Sequence, residues 1–144
     1  MKKSLFITGA GGFIGSKLLE KIDFEHYENI YCLGRRENDV IRKFSGYSNC
    51  TFIQADISEA EKYREYLKSA TTVVHLAAIT GKASRDEYFR INSEGTEILL
   101  SHSADSGVRD FIFISSIAAN FVNVGAYYYA QSKIEAEQLV KRSG

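Results

Sequence analysis

Thr8-Gly9-Ala10-Gly11-Gly12-Phe13-Ile14-Gly15 is the stretch that decides how this chain folds. It follows a short apolar run, Leu5-Phe6-Ile7-Thr8, that reads as a strand. It opens a segment reaching to about Phe24, in which Phe13, Ile14, Leu18, Leu19 and Ile22 fall near helical spacing. Gly9, Gly12 and Gly15 sit three apart at this strand-to-helix junction. A first glycine there permits a tight turn with unusual dihedrals. A second lets the backbone approach a pyrophosphate, and a third lets helix and strand pack closely. Backbone N–H groups and the helix dipole then meet the anion. The bland alternative is a glycine-rich turn with no ligand. The strand before the turn and the helix after it favour the dinucleotide reading, in which Gly9, Gly11, Gly12, Phe13, Ile14 and Gly15 contact the cofactor.

The rest of the chain repeats the same alternation. Ile30-Tyr31-Cys32-Leu33, Thr51-Phe52-Ile53-Gln54, Thr72-Val73-Val74-His75-Leu76 and Phe111-Ile112-Phe113-Ile114 are short apolar runs that read as strands. Between and after them, helices are expected over 39–44, 58–67, 84–106 and 129–142. Ser58-x-x-Glu61 fits a capping box at the start of the second of these, and Gly107 fits the stop of the third. Continuously apolar strands separated by helices imply a parallel sheet covered on both faces. Right-handed crossovers then predict an α/β doubly wound sheet of order 3-2-1-4-5, a Rossmann fold filling one domain over residues 1–144.

Composition excludes several classes. The chain has 144 residues, 44% hydrophobic and 25% charged, with 18 basic and 18 acidic side chains. Such a chain buries about two-thirds of its unfolded surface and needs no staples. Zero formal charge argues against a bulk electrostatic nucleic-acid binder. No run of about 18 apolar residues predicts a membrane span. The start, Met1-Lys2-Lys3-Ser4, faintly mimics a signal peptide, but the glycines break the apolar stretch behind it. Cys32 and Cys50 make neither a disulfide framework nor a close-spaced metal pair. A cytoplasmic setting is the economical expectation. His26 and His102 are isolated, and no metal site is expected.

The end of the second strand addresses the adenosine ribose. A carboxylate there would bind a 2′-hydroxyl, whereas Leu33-Gly34-Arg35-Arg36 places guanidinium groups suited to a 2′-phosphate. NADP is therefore preferred over NAD, with Arg35 the leading contact. The alternative leaves the arginines solvated and gives the ribose to Glu37 or Asp39. Tyr129 and Lys133 lie four apart on a helix and share one face. Free tyrosine titrates near pH 10, so a tyrosine base at neutral pH needs about 4 kcal/mol of help. A neighbouring ammonium supplies such help. Tyr127 and Tyr128 compete, but neither sits four residues before a lysine. Ser115-Ser116 follows the fifth strand, at the sheet end where ligands gather. A hydroxyl there could hold a substrate carbonyl, or could simply cap the next turn.

Together these residues resemble the short-chain dehydrogenase/reductase superfamily. The glycine turn, His75-Leu76-Ala77-Ala78, Asn92-x-x-Gly95-Thr96, Ile114-Ser115-Ser116 and Tyr129-x-x-x-Lys133 occur in its order. The glycine spacing and the His-Leu-Ala-Ala form are similar to its extended branch, the NAD-dependent epimerase/dehydratase family. The resemblance implies that Tyr129 is the acid/base, that Lys133 binds the nicotinamide ribose and favours the phenolate, and that Ser116 orients the substrate oxygen. It also implies that Asp56 and Ile57 lie along the adenine and that Ala77 and Ala78 line the cofactor. Asn92 would steady the long helix near the site, whereas His75, ending an apolar strand, is expected to be packed rather than catalytic. Ser116 is followed by Ile117-Ala118-Ala119, without the acidic pair of sugar dehydratases, which disfavours dehydration. The short stretch from Ser116 to Tyr129 weakens the sugar-nucleotide assignment.

Extended relatives continue well beyond this length, so the chain is expected to be a cofactor half truncated before the substrate-binding domain. The implied function is NAD(P)-dependent oxidation, reduction or epimerisation of a secondary alcohol or ketone, on a nucleotide sugar or similar polar substrate. The competing readings are a regulatory dinucleotide-binding protein without turnover and an inactive fragment. Relatives often dimerise through the long helix and the catalytic helix, here residues 88–104 and 129–141. No nucleic-acid or membrane partner is expected.

Overall fold

The computed structural model describes residues 3–144. Met1 and Lys2, which begin the basic N-terminal stretch, lie outside the described residues. Five strands, β1 (Lys3–Thr8), β2 (Tyr27–Gly34), β3 (Cys50–Gln54), β4 (Thr72–His75) and β5 (Asp110–Phe113), form one sheet. Its order is β3-β2-β1-β4-β5 and every pairing is parallel. The doubly wound prediction is therefore correct. β1 is central, and Thr8 at its end stands opposite Leu33 on one side and His75 on the other.

Alternating residues of the strands feed two cores. Phe6, Leu33, Ile53 and Val73 pack with Tyr63, Leu67 and Leu99 on one face. Leu5, Ile7, Ile30, Cys32 and Cys50 pack with Leu19, Ile41 and Phe44 on the other. Both faces are covered, so the strands read as unbroken apolar runs. Both cysteines are free and buried. Outside these cores, Ile112 on the outermost strand stays about half exposed.

The helices are α1 (Phe13–Lys21), α2 (Asp39–Phe44), α3 (Arg64–Leu67), α4 (Arg85–Phe89), α5 (Gly95–Asp105) and α6 (Tyr128–Ser143). Three of the segments expected to be helical depart from the sequence reading. α1 stops at Lys21, and a short 3₁₀ turn at Phe24–His26 follows. The predicted helix over 58–67 is a 3₁₀ turn (Ala60–Lys62) followed by the four residues of α3. Its Ser58–Glu61 capping box does not form. Asp56 instead accepts from the Ser58 N–H and Oγ, and Glu59 reaches back to the Asp56 N–H at 2.8 Å. Two overlapping acidic patterns competed here, and the one two residues earlier won.

The long segment over 84–106 begins as expected, with a complete Ser84–Glu87 capping box. It then passes through a π-helical turn at Arg90–Glu94 before α5. Gly107, with φ +75°, follows its end. π turns insert one residue into a helix and often mark functional sites. This one holds Ile91, Asn92 and Ser93 buried against α6.

Candidate active site

The glycine turn is built by contacts only glycine allows. Gly9 has φ +69°, and a Cβ there would lie 2.8 Å from the Ala77 nitrogen. The turn thus lies directly against the chain leaving β4. At Gly12 a Cβ would meet only the Gly9 carbonyl, at 3.2 Å, and its outer side is open. Gly12 is also the N-cap of α1, with no side-chain cap and no acidic residue in the first turn. The leading N–H groups of α1 are therefore left for an external acceptor.

Above this turn lie two adjoining clefts of about 180 and 500 Å³. Gly9, Gly12, Gly34 and Arg35 line both. The first is closed by Asp56, Ile57, Ala77 and Ala78, all expected from the sequence, and by Ile79 and Ile91, which were not. The second runs past Gly11, Arg36 and Asn38. Phe13 and Ile14 line neither cleft, and both are exposed, Phe13 to 83%. They were expected to contact the cofactor, but they stand in the first turn of α1 with their side chains in solvent. Gly15 serves packing beneath the turn rather than the clefts.

Polar side chains set the loops around the clefts. Asn38 Nδ2 donates to the Gly11 carbonyl at 2.9 Å while its Oδ1 caps α2 at the Ile41 N–H. This residue, absent from the sequence reading, ties the glycine turn to the arginine loop. Glu37 and Asp39 both pair with Arg42 on the surface and line neither cleft. Partial burial pushes the Asp56 carboxyl up, but the Ser58 hydrogen bonds and the Arg90 and Arg35 charges outweigh it and hold it below the usual range.

The second group lies at the end of β5. Ser115 Oγ donates to Glu137 Oε1 at 2.6 Å. Ser116 Oγ accepts from the Ala118 N–H, capping a 3₁₀ turn at Ile117–Asn120 that packs on α6. The turn-cap alternative is thus realised at Ser116, while Ser115 instead ties the end of β5 to α6, and Ser116 keeps its own O–H proton to donate. Tyr129 is in the first turn of α6, its ring 6.0 Å from Tyr88 and 5.9 Å from Tyr127. One turn on, buried Lys133 donates to the Ile114 carbonyl at 2.9 Å and stands 4.2 Å above the Phe113 ring. Burial pushes its ammonium down to about 8, with Glu137 partly opposing.

Asn92 links the two groups. Its Oδ1 accepts from the Ile79 N–H, and its Nδ2 donates to the Ile79 carbonyl and to Ser132 Oγ. It lines neither cleft, and holds the chain leaving β4 against α6. Gly95 lets α5 lie on the chain leaving β3, where a Cβ would be 2.6 Å from Ile57 Cγ2.

His75 is wholly buried, as expected of a packed histidine, between the rings of Phe111 and Phe113. Burial, aided by the Lys133 charge, pushes its imidazole down to about 3. The folded state thus refuses a proton that the unfolded chain accepts near pH 6.5. Its contribution is intact above that pH and is lost as the pH falls toward 3. Urea unfolding is expected to show stability falling by about 1.4 kcal/mol per pH unit between 6 and 5. In His75→Gln the slope should flatten there; an unchanged slope would assign the loss to other groups.

Among the described residues no cluster of potential metal ligands occurs, and no helix is long and apolar enough to cross a membrane.

Comparison with known proteins bears on the family and the fold. The 3-beta hydroxysteroid dehydrogenase/isomerase family matches residues 6–127. A UDP-glucose 4-epimerase of Vibrio cholerae is 32% identical over 83% of this chain and 37% of its own length. A 3 beta-hydroxysteroid dehydrogenase/Delta 5-->4-isomerase of Monkeypox virus is 28% identical over 95% of this chain and 45% of its own. The chain therefore spans less than half of these relatives. The structure of UDP-glucuronic acid 4-epimerase from Bacillus cereus, solved with NAD, shares the fold at a TM-score of 0.85. It is 23% identical, and the match covers 97% of this chain and 52% of that one. The chain belongs to the 3-beta hydroxysteroid dehydrogenase/isomerase family, within the short-chain dehydrogenase/reductase superfamily that its motifs resemble.

Proposed function

We propose that this chain is the cofactor-binding half of an NAD(P)-dependent enzyme that oxidises, reduces or epimerises a secondary alcohol or ketone. One observation carries the reading. The open glycine turn and the Tyr129–Lys133 helix meet at the same end of the sheet, joined through Asn92. The uncapped start of α1 and the open side of Gly12 fit a dinucleotide pyrophosphate. A nicotinamide dinucleotide, when bound, supplies the hydride acceptor or donor.

In this reading Tyr129 takes the hydroxyl proton during oxidation and returns it during reduction. Lys133, on the same helix face, favours the phenolate by its charge. Ser116 donates its free O–H to the substrate oxygen and so fixes the carbon to be oxidised. In epimerisation the keto form would turn over in the site, so that hydride reaches the opposite face of its carbon while Tyr129 returns the proton to its oxygen.

The UDP-glucose 4-epimerase relative favours a nucleotide sugar as substrate. A second reading rests on residues 117–128, which hold no charged side chain and expose Ile117, Phe121 and Val122 beside Ser116. An apolar secondary alcohol fits that wall, and the hydroxysteroid dehydrogenase relative acts on one. Assaying the full-length gene product with UDP-glucose and with a 3β-hydroxysteroid separates the two.

NADP is the preferred cofactor, because Arg35 lines both clefts and the nearby carboxylates are engaged by Arg42. Arg35→Ala is expected to weaken NADPH about tenfold and NADH less than about threefold, read by fluorescence titration. Equal weakening of both would refute the phosphate contact, and binding of neither by the wild-type chain would refute the cofactor reading itself.

A further inference from the structure

We propose that His75 is a positioning residue: neutral and protonated on Nε2, it orders a one-way hydrogen-bond chain that holds Tyr129's helix in register with the glycine turn. The role rests on the reading of Tyr129 as acid/base, but the chain itself is fixed by counting protons.

The count starts at a carbonyl, which can only accept. Thr96 Oγ1 lies 2.7 Å from the Asn92 carbonyl and must donate to it. Its lone pairs therefore face His75 Nε2, 2.8 Å away, and that nitrogen must carry the proton. His75 Nδ1 is then bare, and Thr8 Oγ1, at 2.7 Å, must donate to it. The Thr8 lone pairs are left to the Leu76 and Ala77 N–H groups, at 3.2 and 3.1 Å. Ala77 is the residue against which the glycine turn is packed.

The chain continues toward α6. Asn92 Oδ1 must face the Ile79 N–H, so its amide protons go to the Ile79 carbonyl and to Ser132 Oγ. Ser132 Oγ in turn donates to the Tyr129 carbonyl at 2.8 Å. Thr8, His75, Asn92, Thr96 and Ser132 are all buried, so no water competes. Each link has one allowed direction. A proton on Nδ1 would meet a Thr8 oxygen whose lone pairs are already used. Reversing any one bond would leave a buried group unpaired, a loss large enough to hold the set in one arrangement.

The test uses ¹⁵N spectra of the three histidines, with His26→Gln and His102→Gln to assign them, and Thr96→Val beside Thr96→Ser. Wild type is expected to show His75 protonated on Nε2 only; an Nδ1–H form would overturn the chain. In Thr96→Val the Ile79 and Lys133 amides should exchange about tenfold faster while those of β1 do not, and Thr96→Ser should restore them. Wild-type exchange in Thr96→Val would overturn the positioning role. If that variant does not fold, Ser132→Ala is read instead, with faster exchange at Lys133 and an unchanged His75 tautomer. No change at Lys133 there would overturn the proposal equally. In the full-length gene product Thr96→Val should lower kcat about tenfold with dinucleotide affinity within about twofold. Parallel loss of both would reduce His75 to a core residue. A wild type that binds no dinucleotide would sink the cofactor reading while leaving the spectra and exchange rates to judge the chain.

Discussion

Tyr129→Phe in the full-length gene product is expected to lower turnover by about 10²–10⁴-fold and to leave dinucleotide affinity within about twofold. The substitution removes one oxygen. The ring contacts with Tyr88 and Tyr127 survive, because phenylalanine fills the same space. The bonds that seat α6 involve the Tyr129 carbonyl, Ser132, Lys133, Glu135 and Glu137, none of which is touched. The two clefts over the glycine turn are lined by other residues. A fall in kcat with unchanged affinity is therefore specific to proton transfer. Retained turnover would take Tyr129 out of the reaction and leave Tyr128 or Tyr127 as candidates.

The largest expected loss of stability is Gly15→Ala. A Cβ at this position would sit 2.3 Å from the Gly9 carbonyl oxygen, 2.6 Å from that of Ala10 and 2.7 Å from the Ala10 Cα. All three are backbone atoms of the turn, so no side chain can swing aside. Either α1 moves off the sheet or the turn opens. The expected cost is about 3 kcal/mol, roughly 10 °C in Tm. Gly46→Ala is the control, since its Cβ would find its nearest neighbour at 3.6 Å. That variant should stay within about 0.5 kcal/mol of wild type in urea unfolding. Equal stabilities for the two would show that the turn yields easily and that its close packing is not what the glycine serves.

The parts of this molecule that were legible in the sequence are those governed by neighbours along the chain. Glycines at 9 and 15 announce a turn because no other residue fits the backbone contacts found there, and Gly12 leaves its outer side open. The strands announce themselves because both sheet faces are covered. The π turn was not legible, since one inserted residue leaves the apolar spacing of 84–106 nearly unchanged. Asn38 and Ser132, and the part Thr96 plays beyond its motif, were missed for a different reason. Their partners lie 27, 21 and 40 residues away, and a small polar residue carries no mark of a distant partner. Phe13 and Ile14, expected to contact the cofactor, are exposed and line neither cleft, because spacing alone does not say which way the first turn of a helix faces.

The strand order has a consequence for how the chain is made. β1 is the first strand synthesised, yet one of its two partners, β4, begins only at Thr72. Thr8 and His75 are 67 residues apart. At ribosomal speed that separation is roughly 3–13 s, during which β1, β2 and β3 can pair while one flank of β1 stays bare. The bare flank is the backbone edge of Leu5, Phe6 and Ile7 that β4 later covers. A strand edge left open for that long is the kind of site at which wrong pairing starts, so the hazard in making this fold lies in the waiting time rather than in the finished sheet.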